Sequence, residues 1–335
     1  MKKAKNIALV GATGLVGNTF LQLLEKEHFI DSNIHLVASS KSEGKKISFR
    51  SQDLLINNLE FFDFSKIDLA FFSAGSDVAK EYAPKAVEKG CFVVDNSSCF
   101  RRHEDIALVV PEVNSELLAD YPMPGIVANP NCSTIQMLVA LKPLHDNFII
   151  KRIDVTTFQA VSGTGKFAQE ELIKQIAQES EGIKPSSNIY EKQIAFNVLP
   201  HCDNFQANSY SFEEMKMVWE THKILDSNIE VGSTCVRVPV INGHSESIHI
   251  ETVKPINIKT VKDCLSKAIG VNLLDGEGSK SYMTAVDADG TDAVHVGRVR
   301  KDLSNENRLN LWVVSDNLRK GAALNSIQIA ELLFV

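Results

Sequence analysis

Proline and glycine are scarce in this chain of 335 residues: 10 and 18 residues, about 8 % together, against a usual combined ~12 %. That shortage excludes a collagenous, linker-rich or low-complexity protein. No apolar run approaches the ~18 residues needed to cross a bilayer. The basic start, Met1–Lys5, is followed by an apolar stretch (Ile7–Val10) that breaks at Gly11, too early for a secretory signal. An excess of positive charge is also missing. The net charge of −7 argues against nucleic acid or an anionic membrane as main partner, so an anionic ligand must be held by local cations. The six cysteines (Cys91, Cys99, Cys132, Cys202, Cys235, Cys264) form no CxxC pair and no metal-ligand spacing. They read as reduced thiols of a soluble cytoplasmic protein without a metal site. What is present is ordinary for a globular chain: 44 % hydrophobic and 23 % charged residues, in a length that fits two domains.

The first half alternates strand and helix. Apolar runs around residues 5–12, Ile34–Ala38, Leu69–Ser73 and Phe92–Val94 are separated by helical patterns, one carrying Leu15, Phe20, Leu23 and Leu24, another over Val78–Lys89. This order predicts a parallel sheet with crossover helices. After about residue 150 the pattern changes to half-exposed strands: Ile153–Val161, Thr234–Val240, Ser247–Val253, Val294–Val299 and Leu309–Val314. Helices over Gly165–Gln178, Phe212–Leu225 and Val261–Ile269 punctuate them, so this half is α+β with a mostly antiparallel or mixed sheet. A last helix over about Arg319–Leu333 closes the chain.

Gly11-Ala-Thr-Gly14-Leu-Val-Gly17 follows the first strand and opens a helix, where a dinucleotide pyrophosphate needs a tight turn, bare backbone and helix amides. The spacing is GxxGxxG rather than GxGxxG, and a glycine turn after a strand is common enough to leave both readings open. At the end of the second strand, NAD readers place a carboxylate against the ribose 2′-hydroxyl. Here the stretch is Ala38-Ser39-Ser40-Lys41-Ser42, with hydroxyls and a cation, which favours NADP; a solvated turn is the alternative for Lys41.

Asn129-Pro-Asn-Cys132-Ser-Thr precedes an apolar helical run (Ile135, Leu138, Val139, Leu141), placing Cys132 in the first turn of a helix. Amides and the positive dipole end favour a thiolate there. Cys91 and Cys235 lie in strand patterns, Cys264 on an apolar helix face, and Cys99 and Cys202 lack a following helix, so these five suit inert roles better.

Several longer motifs occur in order: Asp95-Asn-Ser-Ser98 with Phe100-Arg101, Val109-Val-Pro-Glu-Val-Asn114, Asn129–Thr134, Gln159-Ala-Val-Ser-Gly163, Phe212-Glu-Glu-Met-Lys216, Val236-Arg-Val-Pro239, Gly243-His-Ser-Glu246 and Val314-Ser-Asp-Asn-Leu318. With the glycine loop, they make the whole chain resemble the aspartate-β-semialdehyde dehydrogenase family. Departures are small: Lys41 where arginine is frequent, Cys99 where alanine is common, and Arg102 where methionine is usual.

The resemblance implies a Rossmann-type NADP-binding domain over 1–130, joined by a C-terminal helix over 316–335. A catalytic and dimerisation domain over 131–315 would complete a homodimer. It also implies NADPH-dependent reduction of L-4-aspartyl phosphate to the semialdehyde and phosphate, feeding lysine/diaminopimelate, threonine, methionine and isoleucine biosynthesis. Cys132 would form the thioester, His244 would act as acid/base with an ordinary pKa near 6.5, and Gln159 would orient the substrate. Arg237 would clamp the α-carboxylate, Glu213 the ammonium, and Lys216, Arg101 and Asn131 the phosphate. Gly11, Thr13, Gly14, Leu15, Val16, Ser39, Lys41, Ser42, Ser162, Gly163 and Asn317 would contact NADP.

Taken alone, the same residues have plainer readings. His244 would be a polar loop histidine and Arg237 a solvated strand arginine. Glu213 and Lys216, three apart on a helix capped by Ser211 with Glu214, would be a solubilising pair. The rival enzyme is N-acetyl-γ-glutamyl-phosphate reductase, whose substrate has no free ammonium for Glu213. Glyceraldehyde-phosphate dehydrogenase chemistry would need no amino-acid clamp. A non-catalytic NADPH-sensing protein would be expected to lack Cys132 or His244.

Overall fold

A computed structural model describes residues 3–334; Met1 and Lys2 of the basic start, and Val335 of the expected last helix, lie outside the described residues. Contacts divide the chain into two units, Met1–Pro130 with Ala322–Val335, and Asn131–Gly321. No helix among the described residues is long and apolar enough to cross a membrane.

The first unit begins with β1 (Asn6–Val10), α1 (Leu15–Lys26) and β2 (Asn33–Ala38). It continues through β3 (Lys46–Phe49), β4 (Gln52–Asn58), β5 (Leu69–Phe72), α2 (Ser76–Glu88), β6 (Phe92–Asp95), the short α3 (Pro111–Asn114) and β7 (Ile126–Ala128). The strands lie in the order β3-β4-β2-β1-β5-β6-β7. All neighbours are parallel except the β3–β4 hairpin at one edge. Strands β5 and β6 are buried at every residue, as expected of a parallel sheet covered on both faces. Phe20 of α1 packs on Phe71 of β5 with ring centroids 4.8 Å apart.

The second unit holds α4 (Cys132–Phe148), β8 (Ile150–Gln159), α5 (Lys166–Ser180), α6 (Phe212–Ile224), β9 (Glu230–Arg237) and β10 (His244–Thr252). After these come α7 (Ile258–Lys267), β11 (Val271–Leu273), α8 (Ala285–Ala288), β12 (Val294–Lys301) and β13 (Arg308–Ser315). Its sheet order is β11-β12-β13-β10-β8-β9. It is mixed: β8–β9 and β11–β12 are parallel, the other pairs antiparallel. Because β8 and β9 run parallel and β10 antiparallel to them, Gln159, Arg237 and His244 all fall at one end of the sheet.

A π-helical turn, Arg319–Ala323, leads into α9 (Leu324–Leu333). Ile327, Ile329 and Ala330 of α9 join the core of the first unit. The return to that unit starts at Ala322, six residues beyond the expected boundary at 316. Side-chain hydrogen bonds explain the difference. Asp316 accepts from Gly290 N (2.8 Å) and Asn317 accepts from Gly243 N (2.9 Å), tying both residues to the second unit.

Candidate active site

The site is built on the start of α4. Asn131 is its N-cap: Oδ1 accepts from Ser133 N (3.0 Å) and Thr134 N (3.2 Å), which leaves Cys132 in the first turn. The cap is itself held by α6. Asn131 N donates to Glu220 (2.6 Å) and Nδ2 donates to Glu213 (2.8 Å). Glu213, Met217 and Glu220 recur at helical spacing, and Met217 Sδ accepts from Thr134 Oγ1 (3.5 Å). The expected capping box, Ser211 with Glu214, starts α6 and fixes this face. Asn131, expected at the phosphate, thus has its side chain committed to the helix and to Glu213.

Glu213 is buried and gathers three donors: Asn131 Nδ2, Gln159 Nε2 (3.1 Å) and Lys216 Nζ (2.9 Å). Burial alone would raise its pKa. The Lys216 ammonium, the Asn131 amide and the Arg237 guanidinium outweigh burial and hold the carboxyl at about 2. Lys216 bridges Glu213 and Asp203 (3.0 Å) and lies over the Phe212 ring, 4.8 Å from its centroid.

Arg237 is buried; Nη1 donates to Ala160 O (2.7 Å), while Nε has no partner among the described residues. The guanidinium lies within electrostatic reach of Cys132, Cys202 and Glu213. His244 is buried too. Its Nδ1 accepts from Ala160 N (3.1 Å), and Nε2 has no partner among the described residues. Both side chains converge on Gly163: a Cβ there would lie 3.1 Å from Arg237 Nη1 and 3.1 Å from His244 Nε2. Glycine keeps that space open.

The ordinary pKa expected for His244 is not what the structure gives. Burial, reinforced by Arg237, pushes it down to about 3, against smaller opposing effects of Glu213 and a hydrogen bond with Gly243. The ring is neutral at physiological pH. With Nδ1 accepting, its proton is on Nε2, so the side chain enters the site as a donor.

The segment after β13 closes the arrangement. Asn317 Nδ2 donates to Ser162 Oγ (3.0 Å) and its Oδ1 accepts from Gly243 N, joining the Val161–Gly163 turn to the residue before His244. A Cβ on Gly321 would lie 2.8 Å from Cys132 Cβ and 3.3 Å from its Cα, so this turn meets Cys132 as bare backbone. Beside Arg237 opens a cavity of about 650 Å³ whose lining includes Thr164, Tyr190, Lys192, Cys202 and Asp203. Its irregular wall is held by α5, where Glu171 accepts from Asn188 N and Ile189 N, and Gln175 accepts from Ile194 N and Ala195 N.

Among the other thiols, burial raises Cys202 to about 12, Cys235 well above its usual range, and Cys99 and Cys264 to a lesser degree. Cys91 precedes β6 rather than lying within a strand.

The second unit therefore brings together Cys132, Asn131, Gln159, Ser162, Gly163, Glu213, Lys216, Arg237, His244 and Asn317. Arg101 belongs to the first unit, where it is buried and donates to Asn96 O (2.9 Å); Arg102 is exposed. The other expected cofactor residues are also in the first unit. Gly11 takes φ +91, and a Cβ there would lie 2.2 Å from Ser73 O; one on Gly17 would lie 2.3 Å from Gly11 O. These two glycines are needed for packing. Thr13 and Gly14 are exposed at the start of α1, which has neither a side-chain cap nor an acidic residue in its first turn. That end suits an anion. Ser39 and Lys41 are exposed beside a short 3-10 turn (Ser40–Ser42), and the nearby Glu43 carboxylate accepts from Asn58.

Sequence reasoning misses Glu220, Asp203 and Gly321. Glu220 could be found from its helical spacing to Glu213; Asp203 and Gly321 carry no such signal.

Comparison with known proteins agrees over the full length. Residues 6–121 match the family model described as semialdehyde dehydrogenase, NAD binding domain, and residues 141–320 match the semialdehyde dehydrogenase, dimerisation domain. An aspartate-semialdehyde dehydrogenase of Legionella pneumophila is 54 % identical, over 99 % of this chain and 96 % of that protein. The crystal structure of aspartate semialdehyde dehydrogenase II of Vibrio cholerae, complexed with ASA, superposes with a TM-score of 0.96 at 49 % identity, covering 99 % of this chain and 98 % of that one. The Candida albicans enzyme, crystallised with NADP, gives a TM-score of 0.77 at 29 % identity, covering 99 % and 98 %. By family models, sequence and structure alike, this chain belongs to the aspartate-semialdehyde dehydrogenase family of oxidoreductases.

Proposed function

We propose that the protein reduces L-4-aspartyl phosphate to L-aspartate 4-semialdehyde and inorganic phosphate with NADPH, through a thioester on Cys132. One observation carries this reading: in the unit that holds Cys132, two buried side chains that meet at Gly163, Arg237 through Nη1 and His244 through Nε2, each keep a donor without a partner among the described residues, Arg237 Nε and His244 Nε2. Arg237 Nε offers a site for the α-carboxylate. Glu213, ionised and holding three donors where a carboxylate accepts about four, has room for the substrate ammonium. Lys216 receives the phosphate, with Arg101 read as a second phosphate cation on family resemblance alone. Gln159 positions the substrate through its bond to Glu213.

The Cys132 thiolate attacks the acyl carbon; the C–O bond to phosphate breaks, phosphate leaves, and a thioester remains. When bound, NADPH supplies the hydride that this carbonyl carbon accepts. His244 Nε2–H hydrogen-bonds the oxygen on which negative charge develops and keeps its proton. Collapse then cleaves the C–S bond, releasing the aldehyde and restoring the thiolate.

For the cofactor, Gly11, Thr13, Gly14, Leu15 and Val16 offer the uncapped helix end to the pyrophosphate. Ser39, Lys41 and Ser42 suit a 2′-phosphate, and Ser162, Gly163 and Asn317 are read as nicotinamide-side contacts. The homodimer is assigned to the second unit, where Ile173, Ile176, Phe196, Val198 and Phe205 are exposed.

Continued NADPH formation from aspartate semialdehyde and NADP, beyond one per site, should require inorganic phosphate. N-acetylglutamate semialdehyde should be inert, because it has no ammonium for Glu213; turnover of it alone would transfer the assignment to the reductase. NADP should exceed NAD in kcat/KM, and Lys41→Glu should shrink that ratio. Equal values for the two cofactors in the unaltered protein would refute the NADP reading.

A further inference from the structure

Asp203 is absorbed by none of the roles above, yet its carboxylate touches the proposed phosphate-binding cation. Its Oδ2 is 3.0 Å from Lys216 Nζ, and its Oδ1 accepts from Asn204 N (2.8 Å). Backbone geometry commits the residue to this place: φ is +68, a left-handed conformation that aspartate and asparagine tolerate better than most residues. The two carboxylates on Lys216 differ in character. Glu213 is buried and bonded into the framework around Asn131 and Gln159, whereas the Asp203 side chain is 35 % exposed and lines the open cavity beside Arg237. The Lys216 ammonium is thus already paired with a carboxylate on each of two sides. A phosphate carrying about −1.5 to −2 must approach that ammonium on the side that is not Glu213.

We infer that Asp203 sets the affinity of this site for phosphate, because its carboxylate holds the position on Lys216 that the phosphate group requires and must yield it when the anion binds. The inference rests on reading Lys216 as the phosphate cation. It gives the contact a use. A carboxylate that returns to Lys216 after the C–O bond breaks competes with the departing phosphate and favours its release, at the expense of phosphate affinity in the opposite direction.

The test is protection of Cys132 from iodoacetamide by inorganic phosphate, which requires no turnover. Asp203→Asn keeps the shape, the Asn204 contact and a tolerated left-handed residue while removing the charge. Asp203→Gly suits the same φ and decides the matter if the asparagine variant folds poorly. Removing one like charge from a partly buried anion site should lower the half-protecting phosphate concentration about tenfold. Unchanged or weaker protection would overturn the inference and make Asp203 a residue that merely steadies Lys216. Lys216→Met separates the premise: loss of protection supports it, whereas protection equal to the unaltered protein would refute the phosphate reading of Lys216, and with it the inference.

Discussion

At His244 a single buried ring couples the chemistry to the pH response of the fold. Its pKa is about 3 in the folded protein and near 6.5 when unfolded, so the unfolded chain binds the proton more readily. The stability contributed by keeping the ring neutral is complete above about pH 6.5 and declines as pH falls toward 3, at about 1.4 kcal/mol per pH unit within that window. Urea unfolding at pH 7 and pH 5 should therefore show a smaller acid-induced loss in His244→Asn than in the unaltered protein; equal losses would contradict a neutral buried ring. Cys132 is legible in the sequence because its determinants are local, an asparagine cap followed by an apolar helical run. Glu220 shows only its helical spacing to Glu213, since its partner Asn131 lies 89 residues away, and Asp203, 13 residues from Lys216, gains its meaning from the fold alone. Burial also explains His244: the residue is nameable from the Gly-His-Ser-Glu motif, but its protonation state depends on what surrounds it.

Among the elements, α4 and the π-helical turn bear most directly on the thiol. Asn131→Ala removes the cap of α4 and one donor to Glu213. The cap alone is worth about 1 kcal/mol. Thermal unfolding should shift down by about 2–4 °C for each kcal/mol lost, and activity should fall further than stability does. Gly321→Ala forces a methyl against Cys132 Cβ, so the variant should stay folded while iodoacetamide modification of Cys132 changes rate; an unchanged rate would show that the turn does not constrain the thiol. The long buried strands and amphipathic helices are readable from period and composition. The β3–β4 hairpin is not, because an exposed edge pair of mixed polarity lacks a clean alternation. Nor is the π-helical turn, whose 3.6-like apolar pattern merges with that of α9.

For the whole molecule, the exposed apolar residues of the second unit predict a dimer. Sedimentation should give twice the chain mass, and Ile173→Glu with Phe205→Glu should yield monomers; a monomeric unaltered protein would remove the assigned interface. The chemistry of that unit has a more direct test. Protein mixed with aspartate semialdehyde and NADP in the absence of phosphate, then quenched and mapped by mass spectrometry, should carry an aspartyl group on Cys132 that disappears when phosphate is added. An acyl group on Cys99 or Cys202 instead, or undiminished turnover by Cys132→Ala, would contradict a thioester mechanism at this site.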